Sequence, residues 1–106
     1  MFARLSTYDL TEGRASEAAT VFESAIEDIR GLDGFVDGYF LVERDGARAA
    51  TMTLWESLDT LERSRVSASR ARTEAAHQVG ASVTSTYEYE VSLHAGAQTA
   101  GTRSSS

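Results

Sequence analysis

The stretch Ala47-Arg-Ala-Ala-Thr-Met-Thr-Leu-Trp-Glu-Ser57 decides the fold of this chain. It follows Asp45-Gly46, a dipeptide typical of the tight turn of a β-hairpin, and it ends at Ser57, a residue suited to capping the start of a helix. Its apolar and β-branched content favours a strand from Arg48 to Trp55. This strand should pair with the segment before the turn and lead directly into a helix.

The N-terminal part of the chain predicts a strand followed by an amphipathic helix. Phe2 to Asp9 reads as the strand, with alternate residues on its two faces. The helix should run from about Ser16 to Arg30 and end at Gly31. Its apolar positions recur at helical spacing and form one stripe: Ala18, Val21, Phe22, Ala25, Ile26 and Ile29.

The remaining segments complete a pattern of alternating strands and helices. Phe35 to Arg44 is the second strand, with Phe35 and Phe40 expected on opposite faces. A short helix should begin after Ser57, break near Ser67, and continue to Val79 before Gly80. Ser82 to Leu93 alternates aromatic or aliphatic residues with polar ones, which predicts a half-buried fourth strand.

The order β-α-β-β-α-β is that of a ferredoxin-like α+β fold, an antiparallel sheet with its helices on one face. Residues 1–94 should form this one domain, and residues 95–106, rich in Gly, Ala, Ser and Thr, should form a disordered tail. Both faces of the strands carry large apolar side chains. Two helices cannot cover both faces, so a second copy of the sheet is the expected cover and a homodimer is predicted.

The composition restricts the classes of partner. The net charge is −6, all ten basic residues are Arg, and no Cys is present. An acidic chain repels phosphate, which disfavours nucleic acid and anionic membranes as partners.

The N-terminus lacks a secretion-signal pattern and no segment is apolar enough to span a membrane, so a cytoplasmic protein is expected. Arg48 to Trp55 also lacks the aromatic signature of an RNA-binding third strand.

Two motifs carry a resemblance to a known family. Leu32-x-Gly34-Phe35-x-x-Gly38-Tyr39, followed by Thr53-Leu54-Trp55-Glu56-Ser57, resembles the antibiotic biosynthesis monooxygenase superfamily. The resemblance spans about Phe2 to Leu93. It implies a dimeric α/β barrel with a pocket between sheet and helices in each subunit. Its members include cofactor-independent oxygenases that convert anthrone-type or dihydroxy-aromatic polyketides into quinones, and others that degrade haem.

The residues that the resemblance brings with it are only partly present. The haem-degrading members have an Asn, a Trp and a His where this chain has Ala3, Ser64 and a position near Glu74, which argues against haem degradation. The quinone-forming members have an Asn and a Tyr flanking the motif Trp, where Thr51 and Leu61 stand here. Trp55 alone is shared with that group.

Trp55 is therefore the candidate catalytic residue, because its indole N–H could donate to a substrate oxyanion. The alternative is that it packs the core where strand meets helix. Helical phase places Arg72 at the edge of an alanine-rich stripe, where it either reaches into a pocket or extends along the surface. The candidate ligand pocket comprises Phe22, Phe40, Thr51 and Arg72.

No metal or cofactor is expected. The phase of His77 puts it opposite the apolar stripe of its helix, and Glu88 and Glu90 have no His at ligand spacing. No phosphate-binding loop or dinucleotide fingerprint occurs. The hypothesis is a cofactor-independent monooxygenase, or a related pocket enzyme, acting on aromatic or polyketide-like small molecules. The alternative is a non-catalytic dimeric barrel that binds a small molecule.

Overall fold

The structure, a computed structural model, describes residues 1–11, 13–44 and 47–97. Its elements occur in the predicted order, with the second helix divided into two pieces. The strands are β1 (Phe2–Asp9), β2 (Phe35–Val42), β3 (Arg48–Trp55) and β4 (Ser82–Glu90). The helices are α1 (Ala15–Arg30), α2 (Leu58–Arg63) and α3 (Arg65–Gln78). The break between α2 and α3 falls at Ser64 rather than near Ser67.

The four strands form one antiparallel sheet in the order β2-β3-β1-β4. β1 and β3 pair in continuous register from Phe2 opposite Trp55 to Asp9 opposite Arg48. The central position of these two strands places their helix-facing side chains in the middle of the interior. The predicted ferredoxin-like α+β fold is thereby confirmed.

The helices cover one face of this sheet and enclose two apolar clusters. Tyr8 and Phe22 belong to the first cluster, together with small residues of α1 and α3. Ile29, Trp55, Leu61 and Ala68 form the second. Apolar burial of this kind contributes roughly 25 cal/mol per Å² to folding. α1 carries the predicted apolar stripe, and its buried residues are Ala18, Phe22, Ala25 and Ile29.

The predicted separation of Phe35 and Phe40 onto opposite faces of β2 is wrong. The pairing of β2 with β3 shifts register between Phe35 and Asp37. Such a bulge adds one residue to a strand and reverses the alternation beyond it. Phe35 therefore packs against Trp55, while Phe40 stacks on Phe22, and both rings face the helices.

The faces of β4 are arranged with the acidic residue inside and the aromatic residues outside. Glu88 lies opposite Arg4 on the helix-facing side of the sheet. Tyr87 and Tyr89 lie on the other side, opposite Leu5 and Ala3, and Tyr87 is 61% exposed. The large apolar side chains exposed on strands include Val36, Tyr39, Leu41, Val42, Val83, Tyr87 and Tyr89.

The junction from β3 into α2 is closed by a capping box and a close-packed glycine. Ser57 Oγ accepts a hydrogen bond from the Thr60 N–H at 3.1 Å, and the Ser57 N–H donates to Thr60 Oγ1 at 3.2 Å, as expected of a helix cap. Gly34 has φ +79° and lies against Thr60, where a Cβ atom would come within 2.3 Å of the Thr60 Cβ. This approach explains why the motif has glycine at this position.

Most of the predicted C-terminal tail lies outside the described residues. Residues 95–97 are described and belong to no helix or strand, whereas 98–106 are not described. Within the described ranges, every helix is too short or too polar to cross a membrane.

Candidate ligand site between the sheet and the helices

The centre of the helix-facing sheet surface is polar. Alternation along β1 directs Arg4, Ser6 and Tyr8 toward the helices, and alternation along β3 directs Thr51 and Thr53 the same way. All five side chains are buried. We refer to these five buried residues as the polar wall. Buried polar groups cost free energy unless they are hydrogen-bonded, so the polar wall requires a network of partners.

Arg4 is only 2% exposed, and four hydrogen bonds to protein groups replace the water that its guanidinium has lost. Its Nη1 donates to Ser64 Oγ at 3.0 Å and one Nη2 bond goes to the Leu61 carbonyl at 2.9 Å. Its Nε and Nη2 both donate to Glu88 Oε2, at 3.1 and 2.8 Å. Arg4 therefore ties the centre of the sheet to the break between α2 and α3 and to β4.

Glu88 accepts from a second guanidinium as well. Arg65 Nη2 lies 2.5 Å from Glu88 Oε1, and Arg65 Nε donates to both carboxylate oxygens. The hydrogen bonds from Arg65 are the largest cause that lowers the pKa of Glu88; burial opposes them, and the hydrogen bonds and charge of Arg4 add to the lowering, which brings the pKa to about 2. Glu88 is consequently a carboxylate at any physiological pH.

Tyr8 joins the polar wall to an aromatic group. Its hydroxyl shares a 2.8 Å hydrogen bond with Thr51 Oγ1. Its ring meets Phe22 edge-on at 4.9 Å, and Phe22 stacks on Phe40 at 4.7 Å. Burial raises the pKa of Tyr8, and this outweighs the hydrogen bond from Thr51 and the charge of Arg72. Tyr8 therefore remains a neutral phenol at physiological pH.

Arg72 is the unusual member of this site. It projects from α3 toward the sheet and is only 7% exposed. Among the described residues its side chain makes no hydrogen bond and no ion pair, while every fully enclosed side-chain nitrogen and oxygen of those residues has a partner. Its guanidinium nitrogens therefore each retain some solvent-accessible surface. Burial of this kind leaves hydrogen-bonding capacity for a ligand.

Electrostatic interactions connect Arg72 to the rest of the site. Burial lowers the pKa of Arg72; the Tyr8 phenol opposes this effect, the positive charge of Arg4 adds to it, and Glu88 opposes it. Arginine stays protonated under such shifts because its intrinsic pKa is so high. The site therefore contains a protonated guanidinium near a neutral phenol.

Trp55 is fully buried at the other end of the polar wall. Its indole N–H donates to Thr53 Oγ1 at 2.9 Å, and its ring meets Phe35 edge-on at 5.6 Å. The Arg4 guanidinium carbon lies 5.8 Å from the ring centroid, within the range of a cation–π interaction. Trp55 thus packs the core and supports Arg4, and its N–H is engaged by Thr53.

The structure brings the predicted pocket residues together in one region. Phe22 and Phe40 stack, Thr51 binds the Tyr8 hydroxyl, and the charge of Arg72 reaches Tyr8. The inward direction of Arg72 agrees with its helical phase. The prediction omitted Ser64 and Thr53, and it read Glu88 as part of the wet face of a strand, with no His at the spacing that a metal site would need. The contact between Glu88 and Arg4 can be predicted only when the pairing of β1 with β4 is known.

Surface grooves also occur away from this interior. One of about 670 Å³ lies on the sheet face opposite the helices, and its lining includes Thr7, Leu41, Ala50 and Thr84. A second, of about 260 Å³, lies between α1 and α3 above Ala25, Ala71 and Ala75. The first groove belongs to the apolar face described for β2 and β4.

The histidines lie outside the interior. His77 and His94 are both exposed, so neither offers a haem or metal ligand in the space between the sheet and the helices. Within the described ranges, no cluster of three or more His, Cys, Asp or Glu residues could hold a metal ion. The buried donors are guanidinium, hydroxyl and indole groups, which suit an oxygen-bearing organic ligand.

Comparison with known proteins places the fold. No family model matches the chain. Two curated relatives, uncharacterised proteins from two strains of Mycobacterium tuberculosis, are 30% identical to it over 70 residues, which is 66% of this chain. The chain spans about a third of the length of these relatives, since the match covers 31% of each.

Solved structures match over most of the chain. A protein assigned as an antibiotic biosynthesis monooxygenase from Deinococcus radiodurans superposes with a TM-score of 0.74 and 12% identity, covering 93% of this chain and 100% of that one. SnoaB, a cofactor-independent oxygenase from Streptomyces nogalater, gives a TM-score of 0.71 and 17% identity, covering 88% and 94%.

A third structure of the same shape carries a tetrapyrrole. A mutant of MhuD with two manganese protoporphyrin IX groups bound per active site gives a TM-score of 0.66 and 20% identity, covering 92% of this chain and 100% of that one. Solved structures that share this fold thus differ in their ligands. At these sequence identities the similarity is evidence for the fold alone. The sheet order, the helix arrangement and these superpositions together show that the chain has the fold of the antibiotic biosynthesis monooxygenase proteins.

Proposed function

We propose that this protein is a cofactor-independent monooxygenase that acts on an aromatic, polyketide-like small molecule held between the sheet and α3. The observation that carries the proposal is the buried, unpaired guanidinium of Arg72 near the Tyr8 phenol. Because its nitrogens keep accessible surface and have no described protein partner, they are free to donate to a ligand that enters there. The fold shared with SnoaB, a cofactor-independent oxygenase, supports the same reaction class.

The proposed reaction converts a ring methylene carbon that lies between two aromatic rings, as in an anthrone, into a quinone carbonyl. The substrate reacts as its resonance-stabilised anion and reduces O₂ by four electrons. One oxygen atom becomes the new carbonyl, and the other leaves as water with the two hydrogens of the methylene group. Such a reaction needs a site that holds the aromatic rings, excludes water and stabilises negative charge on the substrate oxygen.

The described residues divide these tasks. Phe22 and Phe40 form a stacked aromatic wall, and Tyr8 with Thr51 provides hydroxyls beside it. Arg72 supplies positive charge for the substrate oxyanion, and burial makes that interaction stronger than it would be in water.

Trp55 is proposed to contribute at the Arg4 end of the wall. Its N–H currently binds Thr53 Oγ1, so donation to a substrate oxygen requires that the Thr53 hydroxyl give up this bond. Its ring also faces Arg4, which gives Trp55 a second role in positioning that guanidinium. Comparing variants of Trp55 and Thr53 separates these two roles.

A homodimer is part of the proposal. The sheet face opposite the helices exposes Tyr39, Leu41, Tyr87 and Tyr89, and this area continues into the groove beside Leu41 and Ala50. A contiguous exposed apolar face of this kind is typical of an interface, and a second copy of the same sheet is the cover that two-fold symmetry supplies.

The proposal is tested by oxygen uptake with a panel of anthrone-type and dihydroxyanthracene-type substrates in the presence of a metal chelator. With ¹⁸O₂, the quinone should gain one heavy oxygen atom and the second should appear in water. Heat-denatured protein supplies the background rate of autoxidation. A wild-type rate equal to that background across the panel would overturn the assignment as an oxygenase.

The second candidate is a non-catalytic dimeric barrel that binds the same class of molecule. Two observations favour it: the Trp55 N–H is already engaged, and both histidines lie outside the interior. Binding of the panel compounds without oxygen uptake above background would support this second function in place of the first.

A further inference from the structure

The interior site has more positive than negative charge. Arg4 and Arg72 are both buried there, and Glu88 is the carboxylate that faces them. Glu88 is also shared with Arg65, so its charge is already divided between two other guanidinium groups. Every other Asp and Glu of the described residues is exposed. The chain as a whole has a net charge of −6, so this internal excess opposes the overall balance.

Arg72 carries this excess. The residue Arg72 is only 7% exposed, and no described side chain or backbone carbonyl hydrogen-bonds to its guanidinium. Buried charges are otherwise paired or hydrogen-bonded because leaving them alone is costly. The guanidinium of Arg72 is thus a donor set that a negatively charged oxygen of a ligand would satisfy. A planar guanidinium suits such an oxygen because its N–H groups diverge in one plane.

Among the residues that the structure describes, the interior offers no group able to create that negative charge by removing a proton. The pKa of Glu88 is held at about 2 by Arg65 and Arg4, which leaves it a very weak base. Burial raises the pKa of Tyr8, so it stays a phenol. His77 and His94 are exposed, with His77 on the side of α3 away from the sheet. A general base needs a pKa near the working pH and a position within reach of the proton, and the described interior residues do not provide one.

We infer that the site takes its ligand as a planar aromatic anion that is already ionised in solution, with its charge on oxygen, and that Arg72 is the counter-ion. The inference rests on the proposed function for the place where the ligand binds, and it narrows the substrate class. The molecules selected are polycyclic aromatics that carry an acidic enol, a hydroxyquinone or a carboxylate group. Neutral aromatics of the same shape bind more weakly, and anthrone-type or dihydroxyanthracene-type substrates without such a group enter only as the small fraction that is ionised in solution.

Ligand pairs of equal shape and different charge test this inference directly. 2-Hydroxy-1,4-naphthoquinone is an acidic enol that ionises in neutral solution, whereas 2-methoxy-1,4-naphthoquinone cannot ionise. Binding is followed by quenching of Trp55, the only Trp in the chain, with calorimetry as a check. Wild-type protein should bind the hydroxy compound at least about tenfold more tightly at pH 7. The preference should disappear once the pH falls below the pKa of the ligand itself.

Charge variants identify the counter-ion. Arg72→Met keeps the apolar stem of the side chain and should abolish the preference, while Arg72→Lys should retain part of it. Arg70→Met is the matched control, since Arg70 is an exposed residue of the same helix and the charge change is identical. Thermal unfolding followed by circular dichroism establishes that each variant is folded. Comparing the affinities for 2-naphthoate and 2-naphthamide then shows whether a carboxylate is preferred over its neutral analogue as strongly as an enolate is.

Each outcome decides for or against the inference. Equal binding of the two naphthoquinones by wild-type protein, no binding of either, or a preference that survives in folded Arg72→Met would overturn it. If Arg72→Met fails to fold, the loss of preference below the ligand pKa and the response of Arg72→Lys decide the question. Anion-selective binding without oxygen uptake would leave this inference standing while the oxygenase assignment failed. Turnover of neutral and anionic substrates alike would do the reverse.

Discussion

Arg4 and Glu88 face each other in register across β1 and β4, and the guanidinium donates from Nε and Nη2 to one carboxylate oxygen at 3.1 and 2.8 Å. Arg4 also binds Ser64 and the Leu61 carbonyl. One side chain therefore connects the central strand, the edge strand and the break between α2 and α3. Loss of the carboxylate would leave a buried guanidinium short of its strongest partner.

Replacing Glu88 should lower stability in a pH-dependent way. The folded-state pKa of Glu88 is about 2, below its ordinary value of 4.5, so its contribution is present above pH 4.5 and is lost as the pH falls toward 2. We expect Glu88→Gln to cost about 2 kcal/mol at pH 7, measured by urea unfolding. The difference from wild type should narrow steadily in acid.

The matched control for this change is Glu90→Gln, which removes the same charge from an exposed position of the same strand. It should shift stability by less than about 0.5 kcal/mol. A Glu88→Gln variant as stable as wild type at pH 7, or one whose deficit stays constant down to pH 2, would contradict the assigned role.

Alanine variants of Gly34 and Gly13 distinguish the stability cost of backbone strain from the cost of steric overlap. Both have positive φ, +79° and +80°, but a Cβ at Gly34 would meet Thr60 at 2.3 Å whereas nothing lies within 4 Å at Gly13. Gly13→Ala should cost about 1 kcal/mol, from backbone conformation alone. Gly34→Ala should cost about 3 kcal/mol, because the overlap adds to that strain. Chemical unfolding of the two variants measures the difference, and equal costs would mean that the turn relaxes away from Thr60.

Trp55→Phe should remain folded and dimeric yet lose on the order of 10²-fold in turnover of a dihydroxyanthracene-type substrate, the typical effect of losing one oxyanion donor. The variant retains an aromatic ring and removes the N–H. Thr53→Val is the companion variant: it releases the Trp55 N–H from its present acceptor and should keep most of the activity. Full turnover in folded Trp55→Phe would make Trp55 a core residue only.

Leu41→Asp should unfold the protein rather than give a stable monomer, because obligate dimers often have no stable folded monomer. Light scattering of the wild type at micromolar concentration should give about twice the chain mass of 11.4 kDa. Val66→Asp is the control, since Val66 is 69% exposed on α3 and away from the sheet face. A wild-type mass of one chain would refute the dimer, and a folded, monomeric Leu41→Asp would show that the dimer is not obligate.

Local patterns in the sequence were sufficient for the elements and for part of the site. The bounds of β1 and β3, the amphipathic stripe of α1 and the cap at Ser57 follow from turn chemistry and periodicity, which act over a few residues. Helical phase also placed Arg72 at the edge of the apolar stripe of its helix, and the structure then decided that its side chain is buried.

Only the tertiary structure decided how residues distant in the chain meet. The bulge in β2, which brings Phe35 and Phe40 to one side, depends on pairing with β3 rather than on the alternation within β2. Glu88 lies on the inner face opposite Arg4, a contact that depends on the pairing of β1 with β4. The sequence determined which side chains each face carries, and strand register determined their partners, because register depends on long-range pairing that no local pattern specifies.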